Sequence, residues 1–296
     1  MQDYEVYNNI ALQKIRIEDT TIGLRQIGKG KDLVFIHGFP THGYTWRKII
    51  PKLSERFKCH IVDLPGLGNS EWSEKTYFDS KFQANYLIDL LDEIGITIYS
   101  LIAHNSGATI AREIAIRQNA CVENLIMFNT EIPNHRPPWI PFYQQIGLIP
   151  MVPSVFRFLL KQKWFKNSSM GFREFYTDKS MLDIESNILP YTKPVIDSYE
   201  KAIGALKYLK GIDWELVDDF KNLHKKINAR TLFLWGENDR TFPIELGRQM
   251  INQFECETEF ITIKDASLLP HEEKPNKVAD EILNFLERGN TPEESV

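Results

Sequence analysis

Residues that could perform nucleophilic chemistry are concentrated in the segment 103–108, which is Ala-His-Asn-Ser-Gly-Ala. A nucleophile on a sharp turn from a strand into a helix needs small residues two positions before and after it. Ala103 and Gly107 meet this requirement for Asn105, and asparagine tolerates the unusual backbone angles of such a turn. A turn centred on Ser106 would place a histidine where a small residue is needed, so we predict Asn105 at its tip.

Two further segments follow short apolar runs in the same way. They are His-Gly-Phe-Pro at 37–40 and Asp-Leu-Pro-Gly-Leu-Gly-Asn-Ser at 63–70. Taken in order, the three segments resemble the α/β-hydrolase superfamily, and within it the capped branch of haloalkane dehalogenases and epoxide hydrolases. The resemblance extends over nearly the whole chain. It implies an α/β-hydrolase fold with a helical cap and a hydrolase that acts on small, largely apolar molecules.

The resemblance assigns the nucleophile position to Asn105, where this branch has an aspartate. A carboxylate can attack carbon and form an ester intermediate, whereas a neutral amide oxygen is a far weaker nucleophile. The resemblance also assigns the backbone N–H groups of an oxyanion hole to Phe39 and Ser106, with His37 and His104 as neighbouring candidates for substrate binding. Halide-binding relatives have Asn and Trp where this chain has Phe39 and Ser106, which argues against halide abstraction.

Of the triad that the resemblance implies, the chain lacks the histidine base and keeps the acid. Relatives have a histidine seven residues before the proline that starts the final helix, and here Leu268 stands seven residues before Pro275. Leucine cannot accept a proton. His271 lies three residues later and is the candidate substitute base, although a histidine at a helix start is its ordinary interpretation. Asp239 matches the acid that orients the histidine, and we rank Glu131 below it.

The elements that must position these residues are short apolar runs alternating with helical patterns. Short, continuously apolar runs are typical of central strands covered on both faces, and their alternation with helices predicts a mostly parallel α/β sheet. The runs lie at 33–37, 59–62, 99–103, 125–128, 231–235 and 259–263. Helical patterns lie between them, and a final helix is predicted over about 276–286.

The alternation stops in the middle of the chain. The segment 134–227 has helical patterns, many aromatic residues and no clear strand series. We therefore predict an α/β-hydrolase core formed by 1–133 and 228–296, with 134–227 as a helical cap over an apolar pocket.

Composition narrows the possible partners. The chain has 296 residues, with 35 basic and 40 acidic side chains and a net charge of −5, so nucleic acid is not an expected partner. Cys59, Cys121 and Cys256 are too scattered for a disulfide framework or a zinc site. With no glycine-rich phosphate loop either, we predict no metal and no organic cofactor.

No secretory pattern is present and prolines interrupt the most apolar stretch, 146–160, so we predict a cytoplasmic protein without a membrane span. The oligomeric state stays open.

Four hypotheses fit these departures. The first, which the sequence favours narrowly, is a hydrolase-type enzyme with an altered triad that acts on a small, largely apolar substrate. The alternative is a catalytically inactive protein that binds such a molecule. A third hypothesis is deamidation of Asn105, which would create a carboxylate without a base and therefore a covalent trap. A structural scaffold with a vestigial cleft is the fourth.

Overall fold

The computed structural model describes residues 3–146 and 149–288. Its centre is a sheet formed by the strands Leu12–Ile17 (β1), Thr20–Ile27 (β2), Asp32–Ile36 (β3), Lys58–Asp63 (β4), Tyr99–His104 (β5), Val122–Phe128 (β6), Arg230–Gly236 (β7) and Thr258–Ile263 (β8). Their spatial order is β1-β2-β4-β3-β5-β6-β7-β8. β2 pairs antiparallel with β1 and β4, and the pairs from β4 to β8 are parallel.

The described α-helices are Asp3–Asn9 (α1), Ile50–Leu53 (α2), Ser80–Glu93 (α3), Ser106–Arg117 (α4), Trp139–Ile146 (α5), Val152–Lys161 (α6), Lys163–Lys166 (α7), Glu185–Asp197 (α8), Tyr199–Lys210 (α9), Trp214–Leu223 (α10), Ile244–Met250 (α11), Pro270–Glu273 (α12) and Pro275–Arg288 (α13). Short 3-10 helices lie at Gly43–Trp46, Arg173–Phe175, Lys179–Asp183, His224–Lys226 and Ile251–Gln253. No described helix is both long and apolar enough to cross a bilayer.

The α/β class and the mostly parallel sheet predicted from the sequence are confirmed. Each of the six apolar runs forms a strand, from β3 to β8. β5 is buried at every position, because helices cover both faces of the sheet at its centre. The final helix, α13, begins one residue before the predicted start and extends to Arg288.

The antiparallel hairpin of β1 and β2 was not among the predicted strands. β1 is an edge strand whose first three residues are exposed, and it carries Lys14 and Arg16. An edge strand with charged side chains lacks the continuous apolar run that marks a central strand, and the charges discourage pairing with another chain.

The segment between β6 and β7 contains the helices α5 to α10 and three of the 3-10 helices. Its described residues form no strand. The cap boundaries proposed at residues 134 and 227 remain a prediction.

The sheet brings the chemistry-bearing segments to one edge. β3 and β5 are parallel neighbours with Ile36 beside Ala103, so the loops that follow them leave the sheet side by side. β6 and β7 continue the same arrangement, with His104 beside Phe128 and Phe128 beside Leu234. The carboxyl ends of parallel strands are where ligand sites form in open α/β sheets.

Candidate functional site

Asn105 lies at the tip of a sharp turn between β5 and α4. Its backbone has φ 53° and ψ −133°, a conformation that few residues other than glycine adopt without strain. The neighbouring backbones are close: a Cβ at Gly107 would lie 2.2 Å from the carbonyl oxygen of His37, and one at Gly38 would lie 2.5 Å from Cβ of Asn105. The turn predicted from the small residues around Asn105 is therefore present.

The side-chain amide of Asn105 has a defined orientation. Its Oδ1 accepts a hydrogen bond from the backbone N–H of Ser106 at 2.5 Å. Because a backbone N–H can bond only to an acceptor, this contact fixes which end of the amide is oxygen. Nδ2 has no hydrogen-bond partner among the residues that the structure describes.

The N–H groups assigned to an oxyanion hole are hydrogen-bonded within the protein. The N–H of Phe39 donates to Oγ of Ser106 at 3.1 Å, and the N–H of Ser106 donates to Asn105. Ser106 Oγ also lies 3.0 Å from the hydroxyl of Tyr208, and the Tyr208 ring stacks on Phe39. A ligand oxygen would have to displace two side-chain oxygens to use this site. The oxyanion role of Phe39 and Ser106 stays a prediction.

Leu268 occupies the position implied for the histidine and lines the same cavity as Asn105. Its backbone carbonyl accepts a hydrogen bond from Nε2 of His104 at 2.9 Å. The side chain that faces the cavity here can therefore neither take up nor release a proton.

His271 is fully buried at the start of α12. Its Nε2 lies 2.7 Å from Oγ1 of Thr45. Because the Thr45 hydroxyl donates to Glu272, Nε2–H is the donor of this bond. The His271 ring packs against the rings of Trp46 and His104. Burial holds its pKa well below the ordinary value. His271 does not line the cavity that contains Asn105, so the structure does not bring the candidate substitute base to the candidate nucleophile.

Asp239 follows β7, as predicted, and is held by neutral donors. Its carboxylate accepts from Nδ2 of Asn129 at 2.7 Å and from the N–H groups of Thr241 at 2.7 Å and Phe242 at 3.1 Å. Burial raises the pKa of Asp239 to about 7, against the lowering effect of these hydrogen bonds. None of these bonds involves a histidine. We call Asn105, Asp239 and Leu268 together the triad corner.

Glu131, the lower-ranked acid, is also buried. Its Oε2 accepts from the hydroxyls of Thr109 and Thr130, both at 3.1 Å. Burial raises its pKa, and the nearby charge of Arg112 opposes that rise. These contacts hold the loop after β6 and make no bond to Asn105 through the carboxylate.

His37 and His104 hold backbone segments under the site. His37 accepts from the N–H of Leu64 at 2.9 Å and donates to the carbonyl of Gly38 at 3.0 Å. Burial lowers the pKa of each of these histidines to about 4, so both are neutral at pH 7. Neither lines the cavity, and their role in substrate binding stays a prediction.

The cavity under the helices has a volume of about 110 Å³ and mostly apolar walls. All seven histidines lie in the described part of the chain and none lines it. Its described lining also has no Asp, Glu, Lys or Arg. The lining consists of Phe39, Pro40, Leu67, Asn105, Trp139, Ile140, Tyr143, Phe156, Leu160, Phe165, Met170, Gly171, Phe172, Phe175, Tyr191, Thr192, Val195, Ala205, Leu206, Leu209, Ile212, Thr241 and Leu268.

A buried charged cluster beside the cavity was missed by the sequence reasoning. Glu272 lies 2.9 Å from Nη2 of Arg47 and accepts from the hydroxyl of Tyr176 at 2.8 Å and from that of Tyr191. Arg47 also donates to Oδ1 of Asn187 at 2.9 Å. We call Arg47, Tyr176, Asn187, Tyr191 and Glu272 the Glu272 cluster. No motif marks it, because its members are brought together only by the tertiary fold.

The electrostatics of the Glu272 cluster differ from those of the triad corner. Burial alone would raise the pKa of Glu272, but the charge and hydrogen bond of Arg47 outweigh it and lower that pKa to about 2. Burial alone would lower the pKa of Arg47, but the charge of Glu272 outweighs it and holds that pKa well above its ordinary value. Both groups are therefore ionised. Among the described residues, no three His, Cys, Asp or Glu side chains are grouped so as to hold a metal ion.

Comparison with known proteins agrees with this architecture. A family model described as the alpha/beta hydrolase fold matches residues 32–275. A soluble epoxide hydrolase of Corynebacterium sp. (strain C12) is 27% identical over 270 residues, which cover 88% of this chain and 91% of that protein. The uncharacterised hydrolase YugF of Bacillus subtilis (strain 168) is 25% identical, with 86% of this chain and 89% of that protein covered.

Solved structures show the same fold. The ligand-free epoxide hydrolase CorEH superposes with a TM-score of 0.78 at 21% identity, covering 95% of this chain and 99% of that one. A thermophilic esterase from Thermogutta terrifontis gives a TM-score of 0.74 at 20% identity, with 95% and 100% covered. The predicted α/β-hydrolase fold is thereby confirmed.

Proposed function

This chain belongs to the α/β-hydrolase fold family, and we propose that it binds a small, largely apolar molecule in the cavity without turning it over. This is the alternative function left open by the sequence. It differs from the narrowly favoured hydrolase-type enzyme in that it needs no nucleophile and no base.

One observation carries the proposal: Asn105 and Leu268 share a cavity whose described lining has no acid, amine or histidine. Formation of an ester intermediate needs a carboxylate or another activated nucleophile. Its hydrolysis needs a group that can take a proton from water. The two tyrosines of the lining do not supply one. The Tyr143 hydroxyl donates to the carbonyl of Met170 at 3.0 Å, and that of Tyr191 donates to Glu272.

The state of the oxyanion positions supports the same proposal. Donors that stabilise a developing negative charge must be free to point at it. Here the N–H groups of Phe39 and Ser106 are already bonded to side-chain oxygens of the protein.

Hydrolysis of an epoxide, a haloalkane or an ester is the second candidate, and the relatives named epoxide hydrolase favour it. It requires His271 to leave Thr45 and to reach a water molecule in the cavity. We rank it second because His271 is fully buried outside the cavity lining.

The experiment compares binding with turnover in the same samples. Styrene oxide, n-hexyl chloride and p-nitrophenyl butyrate are incubated with the protein. Products are followed by gas chromatography or absorbance, and binding is followed by saturation-transfer NMR. We expect binding of at least one compound with no product above the buffer rate.

The control variant is Ala205→Leu, which adds bulk to the cavity wall. It should weaken binding, while its far-ultraviolet circular dichroism shows that the fold is retained. Product formation that disappears in both Asn105→Ala and His271→Gln would establish the second candidate. Absence of binding to all three compounds would leave the vestigial scaffold as the better account.

The cellular setting remains part of the proposal. The three cysteines are free thiols, which is the usual state in a reducing compartment, and we propose a cytoplasmic location. We also propose a small-molecule ligand and no nucleic-acid partner, because the net charge of −5 gives no excess of cations to neutralise phosphates.

A further inference from the structure

We infer that the ligand of this cavity carries an uncharged hydrogen-bond acceptor, such as a ketone or ether oxygen, which binds to Nδ2 of Asn105. The inference rests on the proposed binding function and deepens it by naming the class of ligand. It concerns the polarity of one atom in an otherwise apolar cavity.

The first step is the direction of the Asn105 amide. The 2.5 Å bond from the N–H of Ser106 fixes Oδ1 on the α4 side. Nδ2 has no partner among the described residues, and Asn105 lines the cavity. Nδ2 is not fully enclosed by protein atoms, so it has access to the cavity space.

The second step is the need for an acceptor. A polar N–H in an apolar environment loses free energy unless it is hydrogen-bonded. The hydroxyls of Tyr143, Thr192 and Thr241 line the cavity, but no oxygen of the described residues forms a hydrogen bond with Nδ2. The acceptor for Nδ2 must therefore come from a ligand or from water.

The third step is the absence of charge. An anion moved into an apolar cavity loses its hydration and needs a cation nearby. The described lining has no Lys, Arg or His. The buried cation of Arg47 is already paired with Glu272. A neutral acceptor suits the cavity better than a carboxylate or phosphate.

The fourth step is the difference between a carboxylate and the amide of Asn105 at the tip of the turn. A carboxylate at the turn would present only acceptor atoms to the cavity, whereas the amide presents a donor. Asn105 therefore selects for ligands that accept a hydrogen bond, and it does so without changing the shape of the cavity.

The test uses three probes of nearly the same shape: acetophenone, α-methylstyrene and benzoate. They present a ketone oxygen, a methylene group and a carboxylate at the same place on a phenyl ring. Dissociation constants are measured by NMR titration for the wild-type protein and for Asn105→Asp. The titrations are run at about pH 9 so that the carboxyl of the variant is ionised despite its burial. In that form the variant is nearly isosteric and keeps an oxygen for the Ser106 N–H, but it loses the donor.

We compare the two proteins by the ratio of their affinity for acetophenone to their affinity for α-methylstyrene. The probes differ in hydrophobicity, but this difference affects the ratio equally in both proteins and therefore cancels. We expect the ratio to fall by about 3- to 10-fold in Asn105→Asp, which is the usual size of a neutral hydrogen bond. Thr192→Val is the matched control. It removes a cavity hydroxyl that is already bonded, so both affinities should change together and preserve the ratio. Benzoate should bind the wild-type protein more weakly than acetophenone.

The outcomes separate the inference from the function it rests on. If both neutral probes bind and the ratio is unchanged in Asn105→Asp, water satisfies Nδ2 and the inference is wrong while the binding function stands. Tighter binding of benzoate than of acetophenone overturns the claim that the acceptor is uncharged. If no probe binds the wild-type protein, the proposed binding function fails and the inference fails with it.

A second measurement avoids the variant if Asn105→Asp does not fold. The side-chain amide resonance of Asn105 is followed in ¹⁵N-labelled wild-type protein. We expect acetophenone to shift it and α-methylstyrene, at equal occupancy, to shift it much less. Equal shifts with the two probes would contradict a hydrogen bond to the ketone.

Discussion

The triad corner and the Glu272 cluster lie close together beside the cavity, yet they have opposite electrostatic characters. The corner has a neutral amide at Asn105, an apolar side chain at Leu268 and a carboxyl at Asp239 bonded only to neutral donors. The Glu272 cluster has a buried ion pair with two tyrosine hydroxyls directed at its carboxylate. The described lining of the cavity at the corner has no charged side chain, whereas the cluster holds a paired cation and anion.

The comparison shows that strongly shifted pKa values do not by themselves locate a reaction centre. Shifted groups are concentrated at active sites, but structural ion pairs shift pKa values too. Here the shifts of Glu272 and Arg47 accompany bonds from Arg47 to α8. Arg47 precedes β4, whereas Tyr191 and Asn187 belong to α8. The cluster joins Arg47 and α12 to α8, and Asn105 and Leu268 of the corner line the cavity.

Among the single substitutions, loss of the buried carboxylate should have the largest effect on stability. In Glu272→Gln the charge of Arg47 stays buried without a partner, so we expect a loss of about 3–5 kcal/mol in the free energy of unfolding. Urea denaturation followed by tryptophan fluorescence measures it.

The matched control for that variant is Glu71→Gln, which removes the carboxylate of an exposed pair with Lys14. Exposed pairs contribute little, so its stability should change by less than about 1 kcal/mol. Equal losses in the two variants would show that the Glu272 cluster does not fasten the helices as described.

The second effect is a loss of stability in acid. His37 and His104 are buried with pKa values of about 4, whereas an unfolded histidine has a pKa of about 6.5. As pH falls from about 6.5 to about 4, the unfolded chain takes up protons that the folded protein excludes. The free energy of unfolding should therefore fall by about 1.4 kcal/mol per unit of pKa difference for each histidine.

The check is urea denaturation at several pH values for the wild-type protein and His104→Gln. Glutamine can still donate to the Leu268 carbonyl but has no proton equilibrium in this range. The variant should lose less stability on acidification, and identical pH profiles would contradict a neutral, buried His104.

The smallest effect is expected at the triad corner itself. In Asp239→Asn the new amide can accept from Thr241 and Phe242, but its NH₂ then faces the Nδ2 donor of Asn129, whose own Oδ1 accepts from Gly236. We expect a loss of about 1–3 kcal/mol, which is smaller than that of Glu272→Gln. Urea denaturation at pH 5 measures it.

The pH dependence of the stability of Asp239→Asn tests whether the Asp239 carboxyl, unlike that of Glu272, retains its proton in the folded protein. The folded pKa of Asp239, about 7, lies above the unfolded value of about 3.9. The folded protein therefore retains a proton that the unfolded chain releases, and this contribution to stability is lost as pH rises from about 4 to about 7. The stability difference between wild type and Asp239→Asn should shrink over that range. A difference that grows with pH would place an ionised Asp239 in the fold.

Sequence reasoning was most successful where a local pattern determines the structure. Apolar runs such as 99–103 predicted β5, and the small residues around Asn105 predicted the turn at its end. The edge strand β1 was missed because its charged, exposed residues lack that pattern. The Glu272 cluster was missed for a different reason. Arg47 and Glu272 are 225 residues apart in sequence, and nothing local to either indicates a partner.

The positions of the candidate site residues in the fold were predictable from the sequence, but their hydrogen bonds and packing contacts were not. Asn105, Leu268 and Asp239 were all placed by their motifs, and two of them line one cavity. The sequence could not show that His271 lies under the cavity against Thr45, since a shift of three residues at the start of a short helix changes which way a side chain points. Nor could it show that the Ser106 hydroxyl bonds to the N–H of Phe39.

The most direct test of the central claim is peptide mass spectrometry across Asn105 before and after incubation of the protein with styrene oxide. The account predicts that residue 105 is an asparagine in both samples and that its peptide gains no mass from the reagent. Conversion of this residue to aspartate with an ester to the opened epoxide would contradict the account, because it would show that covalent chemistry takes place at the turn.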